Sequence, residues 1–231
     1  MKRYLFLYTE LAGYMVACMK KLAANRNVEV HVFKYPINAI APFQFSLEGQ
    51  NIFFYERNKY TDSELLDACK NLQPDIIFCS GWIDNGYLQV CSNFKGKVKT
   101  VMTLDNPWRN TIKQNIASIG GPYRLKKYFS HCWAAGAPQK TYALKLGFKN
   151  DTIKEGLYSC DYDYFHQQFL TSKSAKEKSF PKKIIYVGRF AKLKGVREMW
   201  KAFELFQNQH PNEWELWCLE KVNMNRISQS P

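Results

Sequence analysis

Short apolar runs alternate with longer stretches of helical periodicity along most of this chain. The run Ile76-Ile77-Phe78-Cys79 is bounded by Pro74 and by Ser80-Gly81, and Val98 to Leu104 is a second such run. Strands without polar alternation are typical of parallel sheets that are covered on both faces. Strands that alternate with helices therefore predict an α/β fold with a doubly wound parallel sheet.

The same periodicity predicts the order of the elements. Strands are expected at residues 4–8, 28–33, 52–55, 76–79, 98–104 and 129–135, and helices at 11–22, 62–72, 84–94, 109–119 and 139–146. Asp62 or Ser63 is expected to cap the second helix, and Gly147 to close the last one. A loop containing Pro36 and Pro42 is expected after the second strand.

The chain is predicted to contain one complete domain and the start of another. Residues 1–166 form the first domain, and the Lys/Ser-rich stretch 167–182, where apolar periodicity lapses, is predicted to be a linker. A second domain is predicted to begin at 183, with a strand at 184–187, a helix from Gly195 and a strand at 214–219. Residues 220–231 show no periodicity.

Charge and cysteine usage restrict the class of protein. The net charge of +13 predicts attraction to polyanions, including an anionic membrane face or phosphorylated small molecules. Neither an Arg-rich recognition helix nor paired metal-ligand fingers occur, so no nucleic-acid partner is expected. Seven scattered cysteines and four histidines without ligand spacing predict reduced thiols and no metal. We expect a cytoplasmic protein, with peripheral contact at the inner membrane face left open.

The segment Tyr186 to Gly195 carries the most specific chemical pattern. It joins a strand to a helix and holds Arg189 and Lys194 five residues apart. A guanidinium grips phosphate oxygens in pairs, an ammonium acts as a point charge, and a helix N-terminus adds oriented N–H groups. This combination suits a diphosphate. The alternative is a basic surface turn in which Gly188 and Gly195 are loop glycines.

This segment resembles the donor-domain entry of the retaining family 4 glycosyltransferases. The resemblance rests on Val187-Gly188-Arg189, on Lys194-Gly195-Val196, and on the helix and strand that follow. It implies a GT-B-like fold with two Rossmann-like domains, a nucleotide-sugar donor bound through Gly188, Arg189 and Lys194, and a glycan or lipid-linked acceptor. No cofactor or metal is implied, and surface polysaccharide synthesis is the expected setting.

Upstream segments are similar to the same family in order and spacing. The loop containing Glu10, Gly13 and Tyr14 resembles the glycine-bearing turn after the first strand, where backbone approaches the donor closely, although Ala12 replaces the first of the usual paired glycines. The alternative for Gly13 is an ordinary turn glycine. Segments 135–148 and 156–165 look like the end of the family's N-terminal domain.

The end of the fifth strand is where many relatives carry a histidine, and here Asp105 stands at about that place. A carboxylate there can accept hydrogen bonds from sugar hydroxyls or take a proton, so Asp105 is the candidate catalytic group. Glu10, Tyr14, Asn106 and Trp108 are the candidate acceptor-binding residues, and Trp108 offers an apolar face to a pyranose. The alternative is that Asp105 or Asn106 only caps the next helix.

The family's paired glutamates (E-x7-E) are expected beyond residue 231, and the stretch after Cys218 departs from the family's Gly-rich turn. We therefore expect a truncated donor domain. Three hypotheses follow: a glycosyltransferase, a catalytically inactive remnant of one, or a basic Rossmann-like module that binds polyanions or a membrane surface.

Overall fold

A computed structural model describes residues 1–36, 46–211 and 213–219. The chain divides into two compact units, the first being Met1–Asp163 and the second beginning at Tyr164. The expected loop at Pro42 and the aperiodic tail at 220–231 lie outside the described residues.

The first unit alternates strands and helices as expected. Its strands are β1 (Lys2–Tyr8), β2 (Val28–Lys34), β3 (Ile52–Glu56), β4 (Ile76–Cys79), β5 (Lys99–Leu104), β6 (His131–Ala134) and β7 (Ile153–Lys154). Its helices are α1 (Gly13–Ala23), α2 (Asp62–Leu72), α3 (Asn85–Phe94), α4 (Ile112–Leu125) and α5 (Ala137–Lys145). The two-residue strand β7 was not predicted.

All seven strands form one parallel sheet in the order β3-β2-β1-β4-β5-β6-β7. The predicted α/β class with a parallel sheet is confirmed. The order reverses between β1 and β4, because the chain winds outward in one direction up to β3 and in the other from β4 onwards. Such a switch point leaves a crevice at the carboxyl ends of the two strands, which is where ligands bind in folds of this kind.

The core lies on both faces of the sheet. Alternate residues of β1 point to opposite faces, so Leu5 and Leu7 belong to one buried cluster and Phe6 to the other. The first cluster includes side chains of α2, α3 and α5, and the second includes Met15 and Met19 of α1.

Two helix starts differ from the prediction. Thr61, rather than Asp62 or Ser63, caps α2 in a reciprocal capping box with Glu64, whose carboxylate accepts from the Thr61 N–H at 2.8 Å. Thr111 caps α4 and accepts from the Gln114 N–H at 3.3 Å. The alternative role of Asp105 or Asn106 as the cap of α4 is therefore wrong.

The second unit contains a single β-α-β arrangement. Its elements are α6 (Tyr162–Lys178, which starts in the first unit), β8 (Lys183–Val187), α7 (Val196–Gln209) and β9 (Glu215–Leu219). The strands β8 and β9 pair in parallel, with Lys183 opposite Glu215. Most of the stretch predicted as a linker, residues 167–182, lies in α6, none of whose residues is buried.

His31 gives the first unit a predicted pH dependence. Its ring is 7% exposed, stacks on Phe53 at 5.0 Å and pairs through Nδ1 with the Tyr55 hydroxyl at 3.1 Å, and burial lowers its pKa. Near and below the ordinary histidine pKa of about 6.5, the unfolded chain therefore binds a proton at His31 more readily than the folded chain does. We expect the free energy of unfolding to fall as the pH drops from 7.5 towards 5.5, by at most about 1.4 kcal/mol per pH unit for this group. Urea unfolding should show a weaker pH dependence in His31→Phe; an identical dependence would exclude His31 as its source.

Candidate functional site

A cleft of about 550 Å³ opens at the switch point, at the carboxyl ends of β1, β4 and β5. Its lining consists of Tyr8, Thr9, Glu10, Ser80, Gly81, Trp82, Ile83, Thr103, Leu104, Asp105, Asn106 and Tyr158. The cleft therefore draws on four separate stretches of the chain, which the parallel sheet brings together at one edge.

Hydroxyl groups line the inner part of the cleft. The Thr9 N–H donates to Ser80 Oγ at 2.9 Å, and the two side-chain hydroxyls lie 3.3 Å apart. The Thr103 hydroxyl donates to the Cys79 carbonyl at 3.3 Å. These contacts join the ends of β1, β4 and β5, so the groups that face the cleft are held by the sheet itself.

Tyr8 stands out because its hydroxyl is buried without a partner. The side chain is 5% exposed, and among the described residues its hydroxyl finds no partner at normal hydrogen-bond geometry. Burial raises the pKa of Tyr8, and the nearby Thr103 hydroxyl opposes that rise. A buried polar group without a partner costs about 1–3 kcal/mol, so a ligand atom that pairs with it gains that amount.

Asp105 and two tyrosines form a polar group at the rim. Tyr14 and Tyr158 meet edge to face, with ring centroids 5.1 Å apart. Burial raises the pKa of Tyr158, and the negative charge of the nearby Asp105 carboxylate raises it further. Burial and the Asp105 charge also raise the pKa of Tyr14. Both phenols therefore stay protonated and available as donors, and the exposed Asp105 is the acceptor among them.

The structure brings together most of the residues predicted for the first unit. Glu10, Asp105 and Asn106 line the cleft, and Tyr14 adjoins it through Tyr158. Trp108 does not line it: its ring packs against Tyr142 at 5.5 Å, and the Lys145 ammonium lies 4.6 Å from the ring centroid. Both contacts already occupy the Trp108 ring. Acceptor binding by Trp108 therefore remains a prediction.

Gly13 is the first residue of α1, which follows the cleft-lining Thr9 and Glu10. The residue before it, Ala12, has no side chain that can cap the helix, and none does. The first N–H groups of a helix lack partners within the helix and carry a partial positive charge. The start of α1 therefore offers free backbone donors beside the carboxylates of the rim.

Several cleft residues were not among the predicted site residues. Tyr8, Ser80, Trp82, Ile83 and Thr103 all line it. The signal that marks them is positional: each lies at or near the carboxyl end of β1, β4 or β5, three neighbouring buried strands that include the reversal in strand order. That reversal depends on which strands pair, and periodicity alone does not reveal pairing.

The second unit presents the predicted cations at one end of its parallel strand pair. Gly188 and Arg189 directly follow β8, and Lys194 ends the short 3-10 turn before α7. Gly195 adopts a φ of +67° and precedes α7 without a side-chain cap. Both Arg189 and Lys194 are exposed, and neither forms an ion pair with any residue in the described ranges.

Within the described ranges, no group of three or more His, Cys, Asp or Glu side chains is arranged to hold a metal ion. Over the same ranges, no helix combines the length and the apolar character needed to span a bilayer.

Sequence comparison and structure comparison give different results. No protein-family model and no curated protein matches the sequence. UDP-N-acetylglucosamine 2-epimerase from Rickettsia bellii superposes on 94% of the chain with a TM-score of 0.54 and 9% identity. UDP-GlcNAc 2-epimerase from Neisseria meningitidis, bound to UDP-GlcNAc, superposes on 97% with a TM-score of 0.54 and 13% identity. HepE from Anabaena, in complex with UDP, superposes on 95% with a TM-score of 0.53 and 11% identity.

The chain spans 62% of the length of the Rickettsia protein, 67% of the Neisseria protein and 69% of the Anabaena protein. At these identities the similarity is one of fold. The chain therefore has the GT-B-like α/β architecture that its sequence predicts.

Proposed function

We propose that the chain is the acceptor-side domain, with the first part of the donor-binding domain, of a glycosyltransferase that uses a nucleotide-sugar. The observation that carries the proposal is the cleft at the switch point, which combines exposed carboxylates with buried hydroxyls. Membership in the retaining family 4 and a role in polysaccharide synthesis at the cytoplasmic side of a membrane are parts of the same proposal. They rest on the Gly188-Arg189 and Lys194-Gly195 motif.

The cleft supplies groups suited to a sugar acceptor. Asp105 is exposed at the rim and can orient an acceptor hydroxyl and accept its proton, while Tyr158 donates beside it. Deeper in the cleft, the Tyr8 hydroxyl, which has no partner in the part of the chain that the structure describes, gains a hydrogen bond when a ligand hydroxyl reaches it. Glu10 adds an acceptor to the lining, and Asn106 adds both a donor and an acceptor, which suits a polyhydroxylated ligand.

The second unit supplies groups suited to a diphosphate. Arg189 and Lys194 are exposed cations beside a helix start that has no side-chain cap. An Arg-phosphate pair is strong because two parallel N–H groups meet two oxygens, and free helix N–H groups add to it. In support, the similar solved structures include proteins whose complexes contain UDP or UDP-GlcNAc.

The proposal predicts that Arg189→Ala and Lys194→Ala each weaken binding of UDP-GlcNAc or UDP by about 1.5–3 kcal/mol, because each removes a charge-assisted contact. Titration calorimetry on the 231-residue chain measures the change. Lys201→Ala is the matched control, because it removes an exposed lysine from the body of α7 and should leave the affinity unchanged.

The other two hypotheses predict different results. A basic module with no diphosphate site predicts that Arg189→Ala and Lys194→Ala bind nucleotide-sugars as the unaltered chain does, and that polyanion affinity falls steeply with salt. An inactive remnant predicts nucleotide binding without sugar transfer by the 231-residue chain. Measured transfer would exclude the remnant, and unchanged binding in both variants would overturn the diphosphate site.

A further inference from the structure

The outward face of α4 is an apolar stripe. Ile112, Ile116, Ile119 and Tyr123 recur at spacings of four, three and four residues, so they share one face of the helix. Their exposed fractions are 79%, 66%, 76% and 81%. Single exposed apolar residues are ordinary on a protein surface, whereas four large apolar side chains exposed on one face over about three turns of a helix indicate a binding surface.

Packing on the opposite face fixes the direction in which the stripe points. Gly121 and Leu125 are buried, and a Cβ at Gly121 would lie 2.9 Å from the Leu146 side chain. α4 therefore approaches the end of α5 closely through its small residues. The helix is held by that face, and the stripe cannot turn inward without breaking the contact.

The stretch of sequence that contains α4 carries charge of one sign. From Asn106 to Asn150 the sequence contains eight Lys and Arg residues and no Asp or Glu: Arg109, Lys113, Arg124, Lys126, Lys127, Lys140, Lys145 and Lys149. Those nearest the stripe in sequence are exposed, among them Lys113 and Arg124 on α4 itself. An apolar stripe in a stretch of sequence whose charged residues are all cations is complementary to an interface that is apolar inside and anionic at its surface.

A basic groove lies at the carboxyl-terminal end of α4. It has a volume of about 280 Å³ and is lined by Lys95, Lys126 and Lys149, together with apolar side chains that include Leu125 and Phe148. Burial and the neighbouring Lys126 charge lower the pKa of Lys95. Like charges that line one groove repel each other, and an anion such as a phosphate bound there would reduce that repulsion.

We propose that α4 docks on the surface of a membrane that contains anionic lipids, with the four stripe residues in the interfacial region and lipid phosphate at the groove of Lys95, Lys126 and Lys149. The stripe is one helix face wide and runs along a helix that is about 21 Å long at 1.5 Å per residue. That shape suits a helix lying in the plane of an interface.

A membrane accounts for these observations better than a protein partner. A protein interface of mixed polarity does not require 45 consecutive residues without an acidic group, whereas attraction to anionic lipid grows with each Lys or Arg and is opposed by each acid. The inference does not depend on the proposed function, because vesicle binding involves no sugar and no nucleotide.

Vesicle flotation with the full chain tests the proposal. We expect binding to vesicles of phosphatidylcholine mixed with phosphatidylglycerol, weak binding to phosphatidylcholine alone, and a loss of binding as salt is raised. Ile116→Gln combined with Ile119→Gln should lower the partition coefficient roughly hundredfold, because both side chains leave the apolar interface. Lys126→Gln combined with Lys149→Gln should lower it roughly twentyfold on the anionic vesicles only.

Leu205→Gln is the matched control, since it removes an exposed leucine from α7 in the second unit and should bind as the unaltered chain does. Circular dichroism checks that each variant is folded. Equal binding by the isoleucine variant and the control would overturn the proposal. An absence of vesicle binding would overturn it as well. If, in that case, sedimentation shows that the chain self-associates and that the isoleucine variant does not, the stripe is a protein interface.

Discussion

Replacing Arg57 by Met is expected to lower the free energy of unfolding of the first unit by about 3–5 kcal/mol, because it leaves a buried carboxylate without its cation. Arg57 is 7% exposed and follows β3. Its guanidinium donates to Asp84 through Nε at 3.2 Å, to the Tyr60 carbonyl through Nη1 at 2.7 Å, and to Asp62 through Nη2. Urea unfolding followed by circular dichroism measures the loss.

The size of the effect follows from what Arg57 joins. Asp62 is the first residue of α2, and Asp84 caps α3 by accepting from the Tyr87 N–H at 2.7 Å. One side chain thus ties the end of a strand to the starts of two helices. The Asp84 side chain is only 5% exposed, so water cannot replace the lost partner.

Two controls separate this explanation from a general effect of removing charge. Lys59→Met removes a cation from the same turn, but the Lys59 pair with Glu56 is exposed, and we expect a loss below about 1 kcal/mol. In an Asp84→Asn background, Arg57→Met should cost less than it does alone, because no buried charge remains to be paired. Additive losses in that double-mutant cycle would contradict the role assigned to the ion pair.

Periodicity predicted the strands and helices of the first unit well, because each buried strand of a parallel sheet is a continuous apolar run. It predicted α6 poorly. Phe165 and Phe169 keep a helical spacing, but the lysines and serines that follow bury nothing, and a helix without a buried face leaves little trace in the pattern of hydrophobicity. The cap of α2 was predicted at Asp62 or Ser63 instead of Thr61 because all three residues are of types that cap helices. Only Thr61 lies three residues before Glu64, which is the spacing of a capping box.

The cleft was predicted in part for a related reason. Strand ends can be located from the sequence, and the resemblance to family 4 pointed to Glu10, Asp105 and Asn106 at two of them. Which strand ends meet depends on the order of the strands, and Ser80 enters the cleft because β4 pairs with β1. Trp108 illustrates the converse: it follows a strand end, but its ring contacts Tyr142 and Lys145, which are distant in sequence. The Arg57 cluster has the same origin, since Arg57 and Asp84 meet only when β3 and α3 are in place.

Gly147→Ala is expected to destabilise the first unit by roughly 2–6 kcal/mol, the sum of backbone strain and steric overlap. Gly147 follows the last residue of α5 by two positions and has a φ of +89°. Its N–H donates to the Leu144 carbonyl at 3.0 Å, and the Phe148 N–H donates to the Ala143 carbonyl at 3.2 Å. This is the Schellman pattern of helix termination, which favours glycine. The measurement is again the free energy of unfolding in urea.

The overlap distinguishes Gly147 from the other glycines with positive φ. A Cβ there would lie 2.7 Å from Pro122 Cβ and 2.9 Å from Pro122 Cα, so it would push α5 away from α4. Gly96 has a φ of +82° and nothing within 4 Å of such a Cβ, which makes Gly96→Ala a control for backbone strain alone. We expect Gly147→Ala to cost about 1–3 kcal/mol more than Gly96→Ala. Equal losses would mean that α4 moves away from α5 without cost, and the close approach that fixes the outward face of α4 would then contribute nothing to stability.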